Sequence, residues 1–204
     1  MHRIQSKSEQ QYFRIHYEEK QAVWQLSEQF LQSIPFHQQQ LAFIFIGTDR
    51  STGDSLGPLT GSILQERTLF PYPVFGTLKS PVHALNLENT VQDIHHQYPS
   101  AFIIAIDACL GKPSSVGQIL VQEGPLMPGQ AVGKKLPPVG DLAVKGVVNV
   151  GGFMDHAVLQ STRLHLPFEM SKVITKALQF AHLRAQSEKV QNRYNHAYNE
   201  NTGY

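Results

Sequence analysis

Two wholly apolar runs, residues 41–46 (LAFIFI) and 101–106 (AFIIAI), constrain the fold of this 204-residue chain more than any other feature. A strand with one solvated face alternates apolar and polar side chains, because successive residues point to opposite faces, and neither run alternates. Both therefore read as strands buried on both faces, which is the situation of central parallel strands covered by helices.

The segments around these runs alternate strand and helix. Residues 17–34 space Val23, Leu26, Phe30 and Ile34 by three and four, an amphipathic helix that ends before Pro35. After the first apolar run the chain breaks at Gly47 into a polar loop carrying Asp49, Arg50 and Asp54, closed by Gly57 and Pro58. Proline suits the first turn of a helix, where its missing N–H would have had no partner, so a helix is expected through residues 59–65. Short strands follow at 71–78 and 118–122, a helix at 89–97, and a third buried strand at 146–150. Residues 124–138, rich in proline and glycine, read as a long surface loop. A short helix is expected at 155–160, a brief extended piece at 163–166, and a long helix from Pro167, with Met170, Val173, Ile174, Ala177, Leu178 and Ala181 on one face.

Composition narrows the partners. Seventeen basic side chains against sixteen acidic ones leave a formal charge of +1, which removes the electrostatic case for nucleic acid or a membrane surface as partner. Cys109 stands alone, so no intramolecular disulfide forms, in keeping with a reducing compartment. The first residues, MHRIQSKSEQQ, lack the apolar core of a signal peptide, and no run approaches the roughly 20 residues of a membrane span. A cytoplasmic protein is expected.

Asp54 and Asp107 each follow one of the two central runs. If those strands are neighbours, about 4.8 Å apart, both carboxylates face one crevice. Two close carboxylates do not both ionise cheaply, so one pKa rises and the pair offers an acid and a base to the same bond. The same two residue types also serve as a helix cap or turn residue, or with a histidine could hold a divalent metal. His83, in SPVHALN, reads as a surface or packing histidine or, on the loop after the second strand and near the same crevice, as a proton carrier or oriented donor. Cys109 has no histidine or lysine fixed beside it in sequence and reads as a small buried residue.

These blocks resemble a known family. IGTDRSTGDSLGP (residues 46–58) and AIDACLG (105–111) look like the two acidic motifs of the spore germination proteases, G-x-N-x-x-x-x-D-x-L-G-P and I-D-A-L, which carry that family's essential aspartates. PGQAVGKK (128–135) is similar to its P-G-S-G-V-G-N-K-R loop, with Ala131 where the family has glycine. VGGFMDHA (150–157) resembles its V-P-T-V-V-D-A segment. The short, protease-related sporulation proteins of the YyaC type look closest. Hydrogenase-maturation endopeptidases, in which two carboxylates and a histidine recognise nickel, are a more distant likeness. No histidine lies between His96 and His156, where those enzymes supply theirs, so no metal or other cofactor is expected.

The resemblance implies an α/β three-layer sandwich of the phosphorylase/hydrolase-like kind, with a mostly parallel central sheet and helices on both faces. Residues 1–40 would form a polar segment and packing helix of that domain, 41–186 the protease-like body, and 187–204 a disordered tail. It further implies peptide hydrolysis in a sporulating cell or spore, with a peptide or small spore protein as substrate. Asp107 would activate water and Asp54 protonate the carbonyl oxygen, or the reverse. Gly129, Gly133 and Lys134 would bind through the loop, and Asp155 would hold the later acidic position. The alternatives are a noncatalytic spore protein that binds a peptide or protein partner, or a metal-recognising maturation-type endopeptidase. Homo-oligomerisation is left open.

Overall fold

The computed structural model describes residues 12–128 and 136–201, with side chains to residue 191. In chain order the elements are β1 (Phe13–His16), α1 (Ala22–Ser33), β2 (Leu41–Phe45), α2 (Leu56–Gln65), β3 (Val74–Phe75), α3 (Leu87–Gln97), β4 (Phe102–Gly111), β5 (Gln118–Glu123), β6 (Leu142–Val150), α4 (Asp155–Ser161) and α5 (His165–Asn201). The sheet order is β1-β5-β6-β4-β2-β3. Strands β3, β2, β4 and β6 run parallel, and β5 and β1 add an antiparallel edge.

The two apolar runs are adjacent, paired from Leu41↔Phe102 to Phe45↔Ile106, and every residue of β2 is buried. Their alternate side chains enter two separate cores, as the pleat requires. Leu41, Phe43, Phe45, Ile104 and Ile106 pack with Leu26 and Phe30 of α1, Leu56 and Leu64 of α2, and Met170, Ile174 and Leu178 of α5. Ala42, Ile44, Ile103 and Ala105 pack on the other side with Leu87 and Ile94 of α3 and with Leu126 and Val139. Helices thus cover both faces of the sheet, the expected three-layer α/β architecture.

From β2 the chain leaves to β3 on one side, and from β3 it crosses back to β4 on the other. The strand order therefore reverses between β2 and β4, and a reversal of this kind opens a crevice beyond the strands' C-terminal ends. Here the crevice is deepened by unequal lengths. Ile106 has the last partner on β2, whereas β4 continues beside β6 to Gly111 through an irregularity between Cys109 and Leu110.

Several expectations are corrected. Asp107 is not beyond its strand but within β4, because β6 supplies a partner where β2 has ended. The third buried strand begins at Leu142 rather than residue 146. Helices α2 and α5 each start two residues before their proline, which then occupies the first turn, where no N–H is needed, and residues 163–166 are not a separate extended piece. Strand β1 was not expected, since Ile15 is its one buried residue. Past Ser187 the chain continues as α5 to Asn201 instead of a disordered tail. That stretch is polar on all sides but contains the helix formers Glu188, Lys189, Gln191 and Arg193.

Candidate active site

Glycines shape the turn that carries Asp54. Gly47 has φ +140°, and a Cβ there would lie 2.0 Å from the Asp54 carbonyl oxygen. The backbone of Asp54 thus folds directly over Gly47, where it accepts a hydrogen bond from the Thr48 N–H at 3.0 Å. Gly47 in turn donates to the Val82 carbonyl at 2.8 Å, joining the loop to the His83 segment. Gly57, in the first turn of α2, has no room for a side chain either, because a Cβ would meet the Ile46 carbonyl oxygen at 2.1 Å. Between these close approaches a single 3₁₀ turn, Gly53–Ser55, turns Asp54 toward the strand ends.

A cavity of about 220 Å³ opens there, and Asp54, His83, Asp107, Cys109, Lys145 and Asp155 all contribute to its wall. Asp49 is exposed outside it. Burial pushes the Asp54 carboxyl from 3.8 up to about 6, against an opposing backbone hydrogen bond from Thr48. Asp107, only 9% exposed, is held well above the usual carboxylate range, first by burial and then by the negative charge of Asp54. The Ala108 backbone and the Lys145 ammonium pull the other way without cancelling the effect. The cavity thus contains two electrostatically linked carboxyls of unequal acidity.

The remaining candidates are arranged around this pair. The Nδ1 of His83 accepts the Leu85 N–H at 3.3 Å, which leaves Nε2 to carry the proton of the neutral ring. Asn86 braces that loop by accepting the His83 N–H at 2.8 Å and donating to the Pro81 carbonyl at 3.0 Å. Glu88 is exposed on the first turn of α3. Asp155 accepts the Gly152 N–H at 2.8 Å, so its structural work is to close the turn before α4. Cys109 has a thiol pushed up to about 12 by burial and by Asp107, which makes it a poor nucleophile. Gly129, Gly133 and Lys134 lie outside the described residues.

Lys145 was not anticipated from the sequence. It pairs in register with Asp107 and is the one lysine or arginine among the described residues of the cavity wall. Its signal was a lysine inside the otherwise apolar LAVKGVV, legible only if the strand is begun at Leu142. Among the described residues, no three of the histidine, cysteine, aspartate and glutamate side chains form a group suited to hold a metal ion.

Fold and cavity together define the chain as a switch-point α/β protein with a buried two-carboxyl site. It belongs to the DUF1256 family of proteins of unknown function, whose model matches residues 14–177. It is 51% identical over 138 residues to the uncharacterized protein YyaC of Bacillus subtilis (strain 168), covering 68% of this chain and 67% of that one. The expected kinship with the YyaC type holds as family membership. Among solved structures, the NiFe hydrogenase maturation protease HycI from Thermococcus kodakarensis KOD1 aligns with a TM-score of 0.49 and 14% identity, over 74% of this chain and 98% of its own.

Proposed function

We propose that the chain is a peptidase in which Asp54 and Asp107 act as base and acid on a peptide bond. The observation that supports this reading is the unequal acidity of two carboxyls in one cavity: Asp54 near 6 and Asp107 well above its ordinary range. Asp54 is then the carboxyl that ionises first, and its charge helps Asp107 to hold its proton, so one bond meets both catalysts at once. Of the two role assignments open in the sequence, the electrostatics favour Asp54 as the base.

In this mechanism Asp54 takes a proton from a water molecule as its oxygen adds to the carbonyl carbon, and Asp107 gives its proton to the carbonyl oxygen. The tetrahedral intermediate collapses when the C–N bond breaks. The leaving nitrogen takes the proton held on Asp54, and Asp107 recovers its own from the re-forming carbonyl. Water supplies the oxygen, and both acids return to their starting state.

The germination-protease motifs around Asp54 and Asp107 support spore proteins as the substrate class and a sporulating cell as the setting. Nothing in the charge balance calls for nucleic acid, and among the described residues no helix is long and apolar enough to cross a membrane. The test is incubation of the purified protein with small acid-soluble spore proteins, beside Asp54→Asn and Asp107→Asn. Cleavage by the wild type that disappears in both variants supports the acid pair, and cleavage that persists in both removes it. Binding of the same proteins without cleavage by the wild type makes the chain a binding protein.

A further inference from the structure

We infer that Lys145 is the oxyanion-binding residue of this site, its ammonium holding the carbonyl oxygen of the bound peptide as water adds to the carbon. The inference rests on the peptidase reading and adds a residue and a role to it.

Three observations converge on Lys145. The first is register: Asp107 and Lys145 are direct partners in the parallel pairing of β4 and β6, so their side chains leave the same face of the sheet about 4.8 Å apart. An oxygen receiving a proton from Asp107 is therefore within reach of the ammonium. The second is placement. Lys145 lies partly buried in Leu142–Val150, a strand that otherwise buries most of its residues, and is the one lysine or arginine among the described residues of the cavity wall. The third is the lack of a partner inside the protein. Among the described residues Lys145 makes no side-chain hydrogen bond and no ion pair, the ion pairs being His16 with Glu18, Lys172 with Glu169, and Arg184 with Glu28.

Lys145 does favour the ionised form of Asp107, but burial and the Asp54 charge outweigh it and hold that carboxyl well above the ordinary range, so neutralising Asp107 is not the whole of its role. The negative charge that a cation at this position can answer is one that develops during reaction. Addition of water to a peptide carbonyl places such a charge on the oxygen that Asp107 protonates, and a preorganised cation in a partly dry cavity stabilises it far more than bulk water does. The cavity then divides its labour: Asp54 faces the water, Asp107 and Lys145 share the oxygen, and His83 Nε2–H is left as a donor for the rest of the peptide.

The experiment compares Lys145→Met and Lys145→Arg with the wild type on the spore protein it cleaves, together with calorimetric binding of a phosphinate peptide built on the cleaved sequence, whose anionic tetrahedral phosphorus imitates the intermediate. The expected result is a fall in kcat on the order of 10²-fold in Lys145→Met with KM little changed. Phosphinate affinity should drop by a comparable factor, and Lys145→Arg should recover much of both. Equal losses of substrate and phosphinate affinity would mean that Lys145 only supports the fold and would overturn the inference. Wild-type kcat in Lys145→Met would overturn it too, while leaving the acid pair standing. If the wild type cleaves none of the spore proteins, the peptidase reading fails and takes the inference with it.

Discussion

The carbonyl oxygen of Asp54 lies 2.0 Å from the point where a side chain would begin on Gly47. The loop that carries the first acid is closed over its own starting residue, and the closure depends on the absence of a Cβ and on a φ of +140° that side chains rarely adopt. Gly47→Ala should therefore move Asp54 out of the cavity and destabilise the fold by about 2 kcal/mol or more. Urea unfolding measures the second effect and peptide cleavage the first. An alanine variant with wild-type stability and rate would show that the loop tolerates a side chain the geometry forbids.

Both acids oppose folding at neutral pH, so their removal should stabilise the protein. The rise of the Asp54 carboxyl from 3.8 to about 6 means that below about pH 4 the folded and unfolded chains both hold the proton and nothing is lost. As pH climbs from about 4 to 6, the unfolded chain releases a proton that the folded one retains, and stability falls through that window. Asp54→Asn should recover roughly 2–3 kcal/mol at pH 7 and almost none of it at pH 3. Asp107→Asn should act in the same direction, since burial and the Asp54 charge raise its pKa as well. Denaturation curves at the two pH values decide the matter: an Asp54→Asn variant less stable than wild type at pH 7 would mean that the carboxylate is stabilised by contacts rather than strained by burial.

What could be read from the sequence followed burial. The runs 41–46 and 101–106 declare central strands because nothing polar interrupts them, and the acidic position of the 46–58 motif falls on Asp54, which lines the cavity, rather than on the exposed Asp49. Pairing partners leave no such trace. Asp107 sits inside β4 rather than beyond it because β6 extends alongside, a relation between segments far apart in the chain. Lys145 was hidden for a related reason. A strand that leads into a cavity carries a polar side chain on the face that opens there, and that residue looks like the end of an apolar run. The last turns of α5 were missed because polarity on every face reads equally as solvated helix or as tail.

The proposed base sets an acid limit on activity. If ionised Asp54 accepts the proton of water, kcat/KM should rise about tenfold per pH unit below the carboxyl's value of about 6 and then level off. A second decline, at higher pH than the first limit, belongs where Asp107 gives up its proton, since burial and the Asp54 charge raise that carboxyl. Lys145→Met should move that decline to still higher pH, because the ammonium favours the ionised form of Asp107. Cleavage measured from pH 4 to 10 tests both limits. A rate that is flat between pH 5 and 7 would exclude Asp54 as the base.

Cys109 provides a probe of the same cavity that does not depend on cleavage. Its thiol is pushed up to about 12, chiefly by burial and then by Asp107, while Lys145 pulls it down. The thiolate is the reactive form, so at pH 8 native protein should alkylate with iodoacetamide at least 10²-fold more slowly than the same chain in denaturant, where the thiol returns to about 8.5. Asp107→Asn removes the carboxyl whose ionised form raises the thiol and should quicken native labelling at the pH values where that carboxyl is ionised, whereas Lys145→Met removes the one effect that lowers the thiol and should slow it. Opposite responses to the two substitutions would report that Asp107 and Lys145 act on Cys109 through their charges. Identical responses would trace the protection to burial alone and place both side chains too far from the thiol to govern it.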